Sequence, residues 1–305
     1  MKPLVVLLVC LANFAKVKAH GVCYDPNHNK PADADAIRKD AQRIKEAGFK
    51  SVRTYVVKFG PDNLASLLTE QGLNVSVTIP FVNERPDDSM PEMLAAVEAA
   101  IKPVTPGAGR VTQIYVGNEN LANVNAVPPK MFEFINYVKG AVPPDVLVGT
   151  VQRNTEFLEP ARVDAIAGWK QLLDGCSIVG VNIHPVFTAN TTAERAIDVV
   201  NDQWIQLTDE KTKQRFPGIV PKYAITEVGW PSAGSMLGNT GTKEGAQDFV
   251  NAYKTWSKKH IAEDRSFYFQ MFDQPQRQDG PFEAHFGMVD ASGVNKFTSF
   301  SFQDL

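Results

Sequence analysis

From His20 onward the chain alternates short runs of β-branched and apolar residues with longer stretches whose apolar positions recur at helical spacing. The short runs predict strands over 21–24 (GVCY), 51–57 (SVRTYVV), 74–81 (NVSVTIPF), 111–117 (VTQIYVG), 146–152 (VLVGTVQ), 177–187 (SIVGVNIHPVF), 222–230 (KYAITEVGW) and 266–272 (SFYFQMF). Between them the pattern predicts helices, clearest over 35–47, where Ile37, Ala41, Ile44 and Ala47 share one face and Gly48 supplies a stop. Further helices are expected over 62–70, 91–101, 129–138, 162–173, 193–207 and 242–259, while the stretch after 290 has little periodicity.

Strands that are apolar along their whole length need cover on both faces, so strands separated by helices imply a parallel sheet of βαβ units. Eight such units of about 30 residues fit a closed (β/α)8 TIM barrel built as a single domain. An open doubly wound sheet is the alternative, but after the first strand the sequence reads DPNHNKPADAD, without the G-x-G-x-x-G of a dinucleotide fold. No internal repeat, low-complexity tract or linker divides the chain.

The first 19 residues break this rhythm. Lys2, an apolar run from Leu4 to Val9, and small Ala19 before His20 have the form of a signal peptide, leaving 20–305 as the barrel domain. The run is interrupted by Asn13, Lys16 and Lys18, short of the roughly 20 apolar residues that span a bilayer, so a secreted protein without a membrane anchor is expected. Loss of these residues removes three lysines and no acid, lowering the formal net charge from −3 to −6. An acidic protein with no basic stripe is a poor partner for nucleic acid. Cys10 leaves with the signal; Cys23 and Cys176 remain in apolar runs, where buried free thiols are the commoner state, although one bridge is open to a secreted protein. The five histidines lack metal-binding spacing, so neither metal nor cofactor is expected. Asn74 and Asn190 begin N-glycosylation sequons; the second falls in a loop, the first at a strand start.

In a barrel of this kind chemistry sits at the C-terminal ends of the strands. Polar residues end several otherwise apolar runs: Arg53 and Tyr55 on the second, Asn118 and Glu119 on the fourth, Asn182 and His184 on the sixth, Glu227 on the seventh, Asp273 on the eighth. A carboxylate at such a place has no stabilising role unless it faces a polar cavity, because an unpaired buried charge costs several kcal/mol, on the order of 3 to 5. Two carboxylates across one barrel mouth are the minimum equipment for glycoside hydrolysis: one protonates the leaving oxygen, the other attacks the anomeric carbon or activates water. A separation of roughly 5 Å permits direct attack and retention, and roughly 6.5–9.5 Å leaves room for water and inversion.

The strings IYVGNEN and AITEVGWPSAG resemble the two catalytic glutamate motifs of family 17 glycoside hydrolases, the β-1,3-glucanases and glucan transglycosylases. GVCYDP, SVRTY, VNIHPVF and FQMFDQPQR followed by GPFEAHFGMVD resemble that family's first, second, sixth and last strands, so the likeness covers most of the chain. It implies a retaining enzyme with Glu119 as acid/base and Glu227 as nucleophile, Asn118 at the sugar 2-hydroxyl and Trp230 as a sugar-stacking surface. Tyr55 and His184 would orient Glu227 or the sugar, Arg53 would supply a fixed charge beneath the site, and Asp273 and Glu283 would be polar groups at the rim of the eighth strand. The resemblance fails after that strand, where Gln276 and Arg277 stand in place of the usual tryptophan and lysine. The expected substrate is β-glucan, hydrolysed outside the cell or at the cell wall. A transglycosylase with the same carboxylates and a non-catalytic glucan-binding barrel are the competing functions, and the sequence leaves oligomeric state open.

Overall fold

The computed structural model describes residues 20–28 and 32–297. The signal-peptide reading of 1–19, Cys10 included, lies outside them, as does the end of the chain from 298.

Eight parallel strands form one sheet: β1 (Gly21–Cys23), β2 (Ser51–Thr54), β3 (Asn74–Ile79), β4 (Val111–Asn118), β5 (Leu147–Arg153), β6 (Ile178–Ile183), β7 (Tyr223–Val228) and β8 (Phe267–Tyr268). Their order is β8-β1-β2-β3-β4-β5-β6-β7, so every neighbour pair but one is consecutive in sequence. A parallel bridge from Ile225 to Ser266 and a hydrogen bond from Phe269 N to Val228 O (2.8 Å) join the two ends. The result is the TIM barrel expected from the strand count.

Outside it pack α1 (Ala34–Glu46), α2 (Leu64–Glu70), α3 (Met90–Ile101), α4 (Pro129–Ala141), α5 (Trp169–Gly175), α6 (Ala196–Thr208) and α7 (Lys243–His260). Their starts follow sequence chemistry: Asp33, Asn63 and Thr242 each accept a backbone N–H of the first turn of α1, α2 and α7. Alternation along β4 sorts its residues, Ile114 and Val116 joining the helix-facing core and Tyr115 a second cluster with Val151, Ile178 and Ala224 from the next three strands. That second cluster fills the barrel's interior. Gly180 is required there, because a Cβ would lie 2.6 Å from Thr226 and Val151 side-chain carbons.

Four expected elements are shorter or broken, each for a local reason. The second strand stops at Thr54 because Glu92 Oε2 accepts the N–H groups of Val57 and Lys58 (2.6 and 2.9 Å), drawing the chain into a hairpin of Lys58–Phe59 with Asp62–Asn63. The sixth stops at Ile183, since Pro185 cannot donate to a ladder and opens a 3-10 turn, Pro185–Phe187. Left-handed Gly168 (φ 81°) divides the expected helix over 162–173 into Pro160–Val163 and α5. The eighth strand keeps only two regular residues, followed by single hydrogen bonds to both neighbours such as Met271 N to Cys23 O (3.0 Å).

Candidate active site

The C-terminal ends of the strands open into a cleft of about 740 Å³ lined by both Glu119 and Glu227. Glu227 lies near the end of β7 and is almost wholly buried. Burial alone would raise its proton affinity, but the Arg53 charge and a hydrogen bond from His184 outweigh this and hold it at about 2. Arg53 Nη1 donates to Glu227 Oε1 at 2.6 Å and His184 Nε2 meets Oε2 at 3.0 Å. An ionised carboxylate only accepts, so His184 Nε2 carries the proton. Arg53 is 0% exposed, stands 4.8 Å from the Tyr55 ring and donates from Nη2 to Asn118 Oδ1 at 2.8 Å.

Glu119 follows the end of β4, where pairing with β5 shifts register between Tyr115 and Asn118. Gly117 (φ 78°) and Glu119 (φ 54°) are left-handed, and for a glutamate that conformation is strained. Strand geometry would send successive side chains to opposite faces; this bulge brings Asn118 and Glu119 both to the cleft. Burial first, and the Glu227 charge second, raise the Glu119 proton affinity above its ordinary value. Asn182 Nδ2 donates to Glu119 Oε1 at 2.7 Å and is itself oriented by Thr226 Oγ1, which donates to Asn182 Oδ1 at 2.8 Å. Asn118 Oδ1 accepts from both Arg53 and Asn182, which turns its amide N–H groups away from these two donors.

The other expected site residues divide. Tyr55, His184 and Glu283 line the cleft with the two glutamates, and Arg53 lies beneath them. Glu283 pairs with Arg277 at 2.7 Å. Asp273 does not line the cleft: Lys296 Nζ (2.7 Å) and Gly287 N (2.9 Å) engage its Oδ1 within the structure of the last loop. Trp230 is corrected from a sugar platform to a core residue. It is 1% exposed and turns outward against Phe249 and Gly245 of α7, which leaves it no face toward a ligand. Asn182, Arg153, Phe187 and Gln203 also line the cleft or hold its carboxyls. Of these, only Asn182 carried a sequence signal, as a polar residue ending an apolar strand. Cys23 and Cys176 are buried free thiols. Asn190 is exposed, whereas Asn74 is half-buried and accepts from Arg110 N.

A barrel whose mouth holds two carboxyls of opposite shift in proton affinity in a polar cleft has the equipment of a glycosidase, and its sequence matches a family of them: the model of the BtgE/BtgC glycoside hydrolase domain matches residues 21–287. The chain belongs to this glycoside hydrolase family. A relative, the probable beta-glucosidase btgE of Aspergillus flavus, is 27% identical over 226 residues, covering 72% of this chain and 34% of that protein. The probable family 17 glucosidase SCW10 of Saccharomyces cerevisiae is 22% identical over 277 residues, covering 89% and 64%. This glycoside hydrolase chain spans about a third of the length of the Aspergillus flavus relative. Among solved structures, an active-site mutant of Rhizomucor miehei beta-1,3-glucanosyltransferase in complex with laminaritriose superposes with a TM-score of 0.69 at 19% identity, covering 93% of this chain and 98% of that one. At that identity the likeness is one of fold.

Proposed function

We propose that this glycoside hydrolase is of family 17 type and cleaves β-1,3-glucan with retention, Glu227 attacking the anomeric carbon and Glu119 serving as acid and then base. The observation that carries this reading is the opposite shift in proton affinity of two glutamates on one cleft: Glu227 held near 2, Glu119 raised. In the first half-reaction Glu227 Oε2 or Oε1 forms a bond to the anomeric carbon while the glycosidic oxygen leaves with the Glu119 proton. Glycosylation removes the Glu227 charge, so Glu119 loses one cause of its raised proton affinity and can take a proton from water, which displaces Glu227. Asn118, with its Oδ1 occupied by two donors, presents N–H to the sugar 2-hydroxyl, a contact that strengthens as the ring becomes cationic. Tyr55 and Glu283 contact the sugar, Arg53 and His184 keep Glu227 ionised, and Asp273 acts on the rim through the loop it holds.

Residues 1–19 as a secretion signal before one catalytic domain, and action outside the cell on wall glucan, belong to the same reading. The likenesses to a family 17 glucosidase and to a beta-1,3-glucanosyltransferase support the family 17 and β-1,3-glucan parts of that reading. The latter also favours a second reading, in which another sugar hydroxyl replaces water in the second half-reaction.

Incubation with a reduced laminarin oligosaccharide separates these. Shorter products alone are expected of a hydrolase, and products longer than the substrate assign a transglycosylase. Binding with no change in the oligosaccharide would overturn both in favour of a glucan-binding barrel.

A further inference from the structure

The strained turn that carries Glu119 is gripped from β5 and the segment after it. Gln152 accepts from Leu121 N (3.1 Å) and donates to Asn120 Oδ1 (2.9 Å). Arg153 Nη2 donates to Ala122 O (3.2 Å), and Arg162 Nη2 donates to Leu121 O and Val124 O (2.8 and 3.1 Å). Both guanidinium groups meet one carboxylate, Glu156, which is 0% exposed. Arg153 engages it as a fork, Nη2 to Oε1 at 2.8 Å and Nε to Oε2 at 3.2 Å, with Arg162 Nε 3.7 Å from the same Oε1. A buried carboxylate needs such partners, and a fork fixes the orientation of the arginine plane.

Arg153 is not itself buried. It lines the cleft, and none of its hydrogen bonds among the described residues uses Nη1. In register it stands opposite Asn182, the residue whose amide donates to Glu119. Glu119 is therefore faced by Glu227 from β7, by Asn182 from β6 and His184 just beyond it, and by Arg153 from β5; Arg153 in turn is faced by Glu156 and Glu159.

We propose that Arg153, moored on Glu156, is a positioning residue for Glu119: it fixes the turn that holds this carboxyl and keeps a positive charge beside it when it must act as a base. The proposal rests on the acid/base assignment of Glu119. Burial and the Glu227 charge favour the protonated form needed first, and Arg153 works against them. In the glycosyl-enzyme the Glu227 charge is gone while Arg153 remains, so the balance tips toward the carboxylate that deprotonates water.

The test compares Arg153→Gln and Arg153→Lys with the parent. On laminarin oligosaccharides, Arg153→Gln should move the alkaline limb of the kcat/KM profile up by about half a pH unit to one unit, whereas Arg153→Lys should leave it in place. On 4-nitrophenyl β-laminaribioside, whose leaving group needs little acid help, Arg153→Gln should lower kcat and KM together with kcat/KM kept, and azide should restore kcat. If Arg153→Gln fails to fold, Arg153→Met keeps the apolar stem and gives the same readings. An alkaline limb unmoved by loss of the charge, or a rise in KM alone, overturns the proposal. Glu119→Gln is the control: it should abolish the alkaline limb, and if the limb persists in that variant, the assignment of Glu119 falls and the role of Arg153 with it.

Discussion

The two glutamates at the barrel mouth are the same residue in two opposed surroundings. Glu227 sits near the end of β7, just past a register shift against β6, and meets a fully buried arginine and a histidine within hydrogen-bond distance. Glu119 sits just past a bulge in a left-handed conformation, held by one neutral amide. Desolvation opposes ionisation at both, yet only Glu227 has a cation close enough to reverse the outcome. The contrast teaches that proton affinity here is set by partners placed from other strands, Arg53 from β2 above all.

Breaking the ionised end should have the largest effect. Glu227→Ala is expected to lower kcat on laminarin by about five orders of magnitude while glucan binding persists, and azide should restore turnover with formation of the α-glycosyl azide. Next comes the end of raised proton affinity: Glu119→Gln should lose about 10²- to 10⁴-fold on laminarin but far less in the first step with an aryl glycoside, measured as the burst of released phenol. Arg53→Met attacks the cause of the contrast. It leaves Glu227 buried beside no cation, so urea unfolding at neutral pH should report a loss of about 3–5 kcal/mol, and the acid limb of activity should move up from the region of 2.

The smallest effect sharpens the comparison through stability. A carboxyl whose folded proton affinity is raised costs stability as pH rises from the unfolded value through the folded one. Glu119→Gln should therefore raise Tm by about 2 °C at pH 7 and change little at pH 4. For activity the signs are opposite at the two ends: the acid limb follows protonation of Glu227, the alkaline limb deprotonation of Glu119.

Much of this arrangement was legible in the sequence, because a carboxylate ending an apolar run has few stable explanations. Eight β-branched runs and their spacing were enough for the barrel, and Glu119, Glu227, Arg53 and His184 could be named from their positions. What escaped depended on directions that residue order does not encode. Trp230 lies two residues beyond β7, past the strand's alternation, and its outward turn packs it against Phe249 of α7. Asn118 and Glu119 reach one cleft only through the bulge at Gly117, whose left-handed backbone has no periodic signature. Gln203 comes from α6 and Arg153 from β5, and nothing in their local sequence tells that these segments meet over the site. Proline and glycine gave finer signals that strand and helix periodicity overrode: Pro185 ends β6 and Gly168 divides a helix.

Direct attack by Glu227 is reported by the configuration of the first product. Proton NMR of laminarin oligosaccharide cleavage, recorded within minutes of mixing and before mutarotation, should show the β-anomer at the new reducing end. The α-anomer appearing first would mean that water, not Glu227, reaches the anomeric carbon.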